Sequence, residues 1–379
     1  MNKYILCDNG IEFIFERVEG AEFNSIEVWL KFGSASDPEE NSGLAHLIEH
    51  LLITEDMKDV DLYAYYNIHG MTSKERIRLN TSCKKEKTDV VLEKILKNIM
   101  NFSPSEYYFE YQRQKVLYEI LHLRKSPILL YLEEAEKHLF AGTGYDRTVT
   151  GLENGIKDVS VAFVRDFLNR MLQSNGMIIS IAGEGDFNTI KSLIESHCST
   201  VMGNHNMLDR INFKSGTVLS GLPHQGVLHM YDTYNTNFEP LVNFAMNNIL
   251  EEFVKYGLSE YVTSVKTIDH NFYNLFSVLI PKMNNYNDAT YELEKIISGD
   301  IDEALFQRVK AYVIEQFLNR LKDPPEVSHY NIRQHFCNRR MGVEDLLQVL
   351  IDIDVSDFRK HLEHAADKLN QYKVISVAI

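Results

Sequence analysis

The chain has 379 residues, of which 44% are hydrophobic and 25% are charged, and its formal net charge is -15. This is the composition of an ordinary globular protein, and the length predicts two domains at roughly 150 residues per domain. The acidic excess argues against a protein that binds nucleic acid through its phosphates or adsorbs to anionic lipid, and it favours a basic or peptide-like partner.

The four cysteines, Cys7, Cys83, Cys198 and Cys337, lie far apart and include no C-x-x-C pair. This spacing is neither a disulfide framework nor a structural zinc motif, so we expect free and mostly buried thiols. The N-terminus reaches Asp8 before any apolar run develops, and no segment approaches 18 consecutive apolar residues. We therefore expect a cytoplasmic protein with no signal peptide and no membrane span.

The first half of the chain predicts strands followed by helices. Residues 11–17 and 25–32 are rich in β-branched and aromatic residues and predict strands. After a turn-like stretch at 34–43, apolar residues recur at helical spacing from Leu44 to Leu52, with Ser42 as the candidate N-cap. The further elements predicted in chain order are a helix at 58–68, a strand at 71–81, helices at 86–101, 104–125, 127–140 and 159–173, a strand at 176–182 and a helix at 186–198.

The second half repeats this order in shortened form. Glycines and a proline mark 201–226 as the linker. The elements predicted after it are a strand at 227–232, a helix at 238–256, strands at 261–268 and 272–280, helices after 284 and a last strand at 373–379. The pattern predicts an α+β protein with two halves of related topology, one at 1–200 and one at 227–379.

The most informative pattern is H-x-x-E-H, formed by His46, Glu49 and His50. It lies in the predicted helix 44–52, so the two histidines project from one face about one turn apart. Two imidazoles in that arrangement can bind one zinc, and the glutamate can act on a metal-bound water. The flanking residues are apolar, so the helix is expected to be buried, where three polar groups without a partner would be costly.

A surface helix with two histidines and a glutamate would have the same sequence, so the pattern alone leaves that alternative open. Catalytic zinc usually takes three protein ligands and one water. The downstream candidates for the third ligand are Glu110, Glu119, His122, Glu133 and His138. Glu119 interrupts an apolar stretch of the helix 104–125, where it would be either a ligand or the partner of a buried cation, and His122 could be its hydrogen-bond partner instead.

Four segments of the first half resemble the pitrilysin family of inverted-motif zinc peptidases, in particular its small bacterial members similar to processing peptidases. The segments are SGLAHLIEHLL (42–52), MTSKERIRLN (71–80), FEYQRQKVLYEI (109–120) and the stretch 142–186, a glycine-containing loop, a helix and a strand that ends in A-G-x-x-D. The resemblance covers roughly residues 1–200.

The resemblance implies that His46, His50 and Glu119 bind one zinc per chain. It implies that Glu49 is the general base that deprotonates the attacking water. The fold that it implies has two homologous α/β-sandwich halves, each a mixed, mainly antiparallel sheet with helices on one side, which form a clamshell around a peptide chamber. A substrate would add a strand to the sheet edge beside the zinc, and the chain would pair with a second copy or a related chain.

Three positions depart from the family pattern or match it only in part. Gln112 stands where a second glutamate is expected two helical turns before the third ligand, and His69 stands where an asparagine is expected at the start of the edge strand. Tyr261 is the candidate for the tyrosine of the family's C-terminal arginine–tyrosine pair, whose arginine has no counterpart. The support of the metal and the orientation of the substrate are therefore expected to differ from the family.

The sequence thus predicts a zinc metalloendopeptidase that acts on peptides or short unstructured polypeptides, with cationic ones favoured, including the processing of a ribosomally made peptide precursor. The alternative is a non-catalytic or partner-dependent peptide-binding subunit of a two-chain assembly, which the three departures favour and the complete ligand set opposes. A second histidine pair, His361 and His364, is spaced i, i+3 with no carboxylate in the matching position. It predicts a solvated helix face and not a metal site.

Overall fold

The computed structural model describes residues 2–53, 67–123, 125–198, 216–220, 226–261, 264–269, 274–281, 286–337, 339, 342–367 and 371–376. The helix predicted at 58–68 lies almost wholly outside these residues. Within them, no helix combines the length and the apolar composition that crossing a bilayer requires.

The strands alternate with helices along the chain. The strands are β1 (Asn2–Leu6), β2 (Glu12–Arg17), β3 (Phe23–Leu30), β4 (His69–Thr72), β5 (Ile77–Lys84), β6 (Met177–Gly183), β7 (Gly216–Ser220), β8 (Gly226–Asp232), β9 (Ser264–Asp269), β10 (Asn274–Pro281) and β11 (Gln371–Ser376). The α-helices are α1 (Leu44–Ile53), α2 (Thr88–Met100), α3 (Glu106–Leu123), α4 (Pro127–Leu139), α5 (Glu153–Ile156), α6 (Val161–Asn175), α7 (Phe187–His197), α8 (Pro240–Gly257), α9 (Tyr286–Ile297), α10 (Glu303–Arg320), α11 (Pro324–Phe336), α12 (Val343–Asp352) and α13 (Val355–Ala366).

The strands differ from the sequence prediction in three places. The strand predicted at 71–81 is the hairpin β4–β5, because the chain turns where the Ser73 N–H donates to the Arg76 carbonyl (2.9 Å). Strand β1 pairs with β2 and was not predicted. Strand β7 lies inside the stretch expected as a linker, where it pairs in parallel with β11.

Contacts divide the chain into two compact units, each assembled from three segments. The first contains Met1–Leu123, Thr143–Leu208 and Leu321–Phe336, and the second contains Arg124–Gly142, Asp209–Arg320 and Cys337–Ile379. The predicted domains, separated by one linker at 201–226, differ from these units in two helices. Helix α4 belongs to the second unit, and α11 belongs to the first.

The first unit is built on a six-stranded sheet in the order β1-β2-β6-β3-β5-β4. Only β2 and β6 are parallel among these pairs, so the sheet is mixed and mainly antiparallel. A parallel pair needs a long crossover, and here the chain from α1 to α6 supplies it. Strand β4 lies at one edge. The α+β fold class predicted from the sequence is confirmed.

The two faces of this sheet have different coverings. Ile26, Val28 and Leu30 alternate into an apolar core that they share with helix α1 and the helices after it. On the opposite face, α11 makes aromatic and polar contacts. Its Phe336 ring meets the Trp29 ring edge to face (centroids 5.3 Å apart), the Ser328 hydroxyl donates to the Ser180 carbonyl (3.0 Å), and the Asn331 amide donates to the Glu16 carboxylate (2.6 Å). Helices therefore cover both faces of this sheet and not one side alone.

The second unit is built on a five-stranded sheet in the order β7-β11-β8-β10-β9. It again has one parallel pair, β7 with β11, and the other neighbouring strands are antiparallel. Two histidines are fully buried in this unit, His229 on β8 and His361 on α13. Burial lowers the pKa of each of them to about 3. The four cysteines are free and buried, as the sequence predicted.

These two histidines should make the second unit sensitive to acid. An unfolded histidine takes up its proton near pH 6.5, whereas in the fold both stay neutral to about pH 3. The stability that they contribute is complete above pH 6.5 and is lost as the pH falls towards 3, by up to about 1.4 kcal/mol per pH unit for each histidine. Urea denaturation between pH 7 and 5 should show this slope, and His229→Leu should reduce it.

The control for this experiment is His122→Gln, because His122 is exposed on α3. It should leave the slope unchanged. An unaltered slope in His229→Leu would mean that the buried imidazole does not limit stability in acid.

Candidate metal centre

Helix α1 begins inside the protein, and its first N–H groups are satisfied by one carboxylate. Asp37 accepts hydrogen bonds from the backbone N–H groups of Gly43 (2.7 Å), Leu44 (3.1 Å) and Ala45 (2.9 Å). The prediction of Ser42 as the N-cap is wrong, since its buried hydroxyl has no hydrogen-bond partner in the described part of the chain. Asp37 takes this role because the turns at 34–41 fold back over the start of the helix.

The helix places two histidines opposite the third predicted ligand. The Nε2 atoms of His46 and His50 each lie 3.5 Å from the same oxygen of Glu119, Oε2. Ligand atoms of all three residues lie within 4.8 Å of one another, and within the described ranges no other group of histidine, cysteine and acidic residues meets this condition. The structure therefore brings together the residues that the family resemblance named as ligands.

The geometry of this cluster fits zinc. In a tetrahedral site with bonds of roughly 2.0–2.1 Å to nitrogen and oxygen, neighbouring ligand atoms lie about 3.4 Å apart. The two 3.5 Å separations match this value. Two imidazoles and one carboxylate are also a ligand set of catalytic zinc sites, which leave a fourth position for water.

Both histidines have a further partner that orients the ring. The Nδ1 atom of His46 lies 3.1 Å from the Thr150 carbonyl, and the side-chain amide of Gln112 is hydrogen-bonded to His50. Burial opposes a charge on His46, but the hydrogen bond to Glu119 and the charge of Glu49 outweigh it and raise the pKa of His46. Burial and the charge of His46 lower the pKa of His50. Gln112, at which the support of the metal was expected to differ from the family, thus contacts a predicted ligand directly.

Glu49 lies beside the histidines and is almost fully buried, with 7% of its surface exposed. The hydroxyl of Thr72 on β4 donates to its Oε2 atom (2.6 Å). Burial raises the pKa of Glu49 against the effect of this hydrogen bond, which suits a group that must accept a proton near neutral pH. Gly70 allows the close approach of β4, since a Cβ atom there would lie 2.6 Å from Oε1 of Glu49.

His46, Glu49 and His50 line a cleft with a volume of about 720 Å³. One wall is α3, which contributes Tyr111, Lys115 and Tyr118 in addition to Glu119. The buried face of α3 contains Tyr108, Phe109, Gln112, Val116 and Ile120. Glu119 lies beside that face, so its carboxylate reaches the histidines while remaining partly exposed.

The other candidates for the third ligand have different positions. Glu110 pairs with Arg113 and accepts from the Gln114 amide (2.7 Å). His122 lies one turn after Tyr118 and contacts its carbonyl (3.1 Å).

Helix α4 carries the remaining two candidates, Glu133 and His138, and belongs to the second unit. His138 pairs there with Glu134 (3.0 Å).

The remaining predicted residues are placed as follows. His69 is the first residue of the edge strand β4 and is exposed. Tyr261 lies after α8 in the second unit, where its N–H donates to the Leu258 carbonyl (2.9 Å). The expected solvated face at His361 and His364 is wrong for His361, which is buried with its Nε2 atom 3.0 Å from the Asn247 side-chain oxygen.

Asp37, Thr72 and Thr150 were not predicted from the sequence as part of the site. The Asp37 carboxylate binds backbone N–H groups, and Thr150 contacts His46 through its backbone carbonyl. No side-chain motif in the sequence marks contacts of this kind. Thr72 lies within a segment that resembles the family strand, and that segment was the available signal.

A comparison with protein families matches this region. Residues 13–151 match the profile described as insulinase, peptidase family M16. The chain carries an M16 peptidase domain. The resemblance to the pitrilysin family that the motifs predicted is confirmed by this match, which includes His46, Glu49, His50 and Glu119.

Among curated proteins, the β subunit of the mitochondrial-processing peptidase of Dictyostelium discoideum is 24% identical to this chain over 190 residues, which cover 48% of the chain. The match spans 40% of the length of that subunit. The similarity is therefore one of a domain and not of the whole relative.

Two solved structures resemble the chain over nearly its full length. A protease from Helicobacter pylori has a TM-score of 0.84 at 17% identity and covers 100% of this chain and 99% of its own. An M16 inactive domain from Pseudomonas fluorescens has a TM-score of 0.83 at 11% identity, and the match covers 100% of this chain and 98% of that domain's chain. These similarities show the fold, which a protease and an inactive domain share.

Substitution of Glu119, the predicted third ligand, tests whether the cluster binds zinc. Glu119→Gln removes the anionic ligand, so the affinity for zinc should fall more than about 100-fold, which exceeds the effect expected for groups that only orient ligands. Chelator competition measures the affinity. Glu110→Gln is the matched control, because it changes the same residue type on the same helix away from the cluster, and its affinity should stay that of the wild type. Equal affinities in the two variants would rule out Glu119 as a ligand.

Proposed function

We propose that the chain is a zinc metalloendopeptidase that hydrolyses peptides or short unstructured polypeptides, including a ribosomally made peptide precursor. The observation that carries this proposal is the meeting of His46, His50 and Glu119 beside the buried carboxylate of Glu49. Three zinc donors and an adjacent base are the groups that hydrolysis of a peptide bond by this chemistry requires.

Each residue has a role in this proposal. Zinc, when held by the three donors, would polarise the scissile carbonyl and acidify a water. Glu49 removes the proton from the attacking water and passes it to the leaving amine. The Thr72 hydroxyl donates a hydrogen bond to one oxygen of this carboxylate. The raised pKa of Glu49 brings its proton affinity closer to those of the attacking water and the leaving amine, with which it exchanges the proton.

The edge strand β4 supports a peptide substrate. On the side of β4 away from β5, no strand of the described chain is paired with it, so its backbone groups can add a substrate strand. Thr72 belongs to β4 and contacts Glu49, which places this edge next to the proposed base. The exposed residues His69 and Met71 would flank such a peptide.

The base can be removed while the ligands are kept. Glu49→Gln retains an oxygen that can accept from Thr72, so the affinity for zinc and the thermal stability should change little. Turnover should fall by a factor of about 10² to 10⁴ or more, the usual contribution of a general base. Zinc content, melting temperature and hydrolysis of a quenched peptide library measure these effects. Glu110→Gln should cleave like the wild type, and a Glu49→Gln variant that also does so would refute the proposed role.

The alternative function is a partner-dependent peptide-binding subunit of a two-chain assembly. Similarity to a protein named as a β subunit favours it, as does the shared fold with an inactive domain. We propose that the chain itself forms a dimer, with a second copy or with a related chain. Cleavage by the zinc-loaded chain alone supports the enzyme, whereas cleavage only after addition of a related chain supports obligate pairing.

The net charge of -15 leads to a proposed preference for cationic peptides. A negative protein attracts such peptides over several ångströms and raises their rate of association, and salt screens this effect. At low salt, kcat/KM should be about tenfold higher for a cationic peptide than for an anionic one of equal length, and the ratio should approach one at about 1 M salt, where the screening length is about 3 Å. Equal values at both salt concentrations would contradict this preference.

We also propose a cytoplasmic location. It is supported by the four buried free thiols, which are typical of a reducing compartment.

A further inference from the structure

The segment 147–152 lies against the start of helix α1 and contacts the first predicted zinc ligand. The Thr150 carbonyl is 3.1 Å from Nδ1 of His46, and the Leu152 N–H donates to the Ser42 carbonyl (3.0 Å). A carbonyl oxygen can only accept a hydrogen bond. This contact therefore requires a proton on Nδ1 of His46, and in a neutral ring that keeps this proton the lone pair is on Nε2, the atom that faces Glu119.

Two glycines bring this segment close to α1. Gly151 has a φ of +86°, and a Cβ atom on it would lie 2.3 Å from Cα of Gly43 and 2.8 Å from the Ser42 carbonyl oxygen. Gly43 has a φ of +106°, and its own Cβ would lie 2.9 Å from Cα of Gly151. A side chain at either position would separate the two backbones and move the Thr150 carbonyl, the neighbour of Gly151, away from the imidazole.

The other end of the segment is held by Arg147. Its guanidinium donates to the carbonyls of Ala35 (3.0 Å) and Asp37. Asp37 is 1% exposed and is the residue whose carboxylate binds the first N–H groups of α1. The segment and the helix that carries His46 are thus attached to the same buried loop.

We propose that the segment 147–152 selects the Nδ1–H tautomer of His46 and so presents Nε2 as a metal donor, with Gly151 and Arg147 as positioning residues. A hydrogen bond from the second ring nitrogen to a carbonyl fixes the tautomer and orientation of histidine ligands. This inference rests on the proposed function in that His46 is a zinc ligand. The tautomer itself is a property of the metal-free protein and can be measured without zinc or turnover.

The test compares two glycine substitutions. Gly151→Ala introduces a methyl group at the contact with Gly43, whereas Gly142→Ala introduces one at nearly the same φ, +83°, where no atom lies within 4 Å. Both variants bear a similar backbone strain, but only the first should move the Thr150 carbonyl. Gly142→Ala is therefore the matched control.

Ring ¹⁵N chemical shifts of the metal-free protein report the tautomer at a pH where His46 is neutral. They are measured in a Glu119→Ala background, because the Glu119 carboxylate, 3.5 Å from Nε2 of His46, would otherwise compete for the proton. In this background, alone or with Gly142→Ala, Nδ1 should be protonated and Nε2 should be unprotonated. Adding Gly151→Ala should move the shifts towards a mixture of the two tautomers, and Gly151→Ala with Glu119 intact should lower zinc affinity about 10- to 100-fold, as on loss of a partner that orients a ligand. A folded Gly151→Ala protein with unchanged shifts and wild-type affinity overturns the proposal, and so does an Nε2–H tautomer in the Glu119→Ala background.

A second variant decides the question if Gly151→Ala does not fold. Arg147→Gln removes the contacts with the Ala35 and Asp37 carbonyls without adding bulk at the glycines, and its melting temperature reports whether it is folded. It should show the same change in the His46 shifts to a smaller extent, and an unchanged tautomer would overturn the proposal. Failure of the wild type to bind zinc would refute the proposed function, while the ¹⁵N shifts would still decide the role of the segment.

Discussion

The buried start of helix α1 is the constraint on which the candidate site depends. The first N–H groups of a helix have no partner within it, and here they lie where water does not reach them. Asp37 supplies both oxygens of its carboxylate to three of these groups. The loop before the helix must therefore fold back over its first turn. Once that turn is fixed, helical spacing alone determines where His46, Glu49 and His50 lie.

The same helix places polar groups inside an apolar layer. Leu44, Leu47 and Ile48 have no exposed surface, whereas His46 and Glu49 on the same helix need hydrogen-bond partners to be buried at an acceptable cost. Their partners come from two other segments, the Thr150 carbonyl and the Thr72 hydroxyl. The contacts that make burial possible are therefore also the contacts that would orient the proposed ligand and the proposed base.

The fold by itself does not distinguish an enzyme from an inactive relative. Structures of both kinds superpose on this chain to a similar extent, because the sheets and the helices around them depend on apolar patterning and not on the catalytic groups. The difference lies in a few side chains that the fold holds in place. Gln112 illustrates this: a substitution in the family pattern still gives a buried side chain that contacts His50.

Local patterns in the sequence determined those features that depend only on neighbours along the chain. Helical spacing was sufficient to place the two histidines of α1 on one face, and an apolar run was sufficient for strand β6. Such patterns cannot report which distant segments meet, since periodicity describes one element at a time. They left Glu110, Glu119 and His122 as alternatives on one helix, and resemblance to a family was needed to choose among them.

The tertiary structure alone decided the remaining features. At the start of α1, Asp37 and not Ser42 binds the first N–H groups. His361 is buried where the pattern predicted a solvated face. Helices α4 and α11 belong to units other than those of their neighbours in the chain. Each of these outcomes is set by contacts between residues far apart in sequence or by the path of an irregular loop. The sequence by itself determined which groups could perform the chemistry, and packing decided which of them meet.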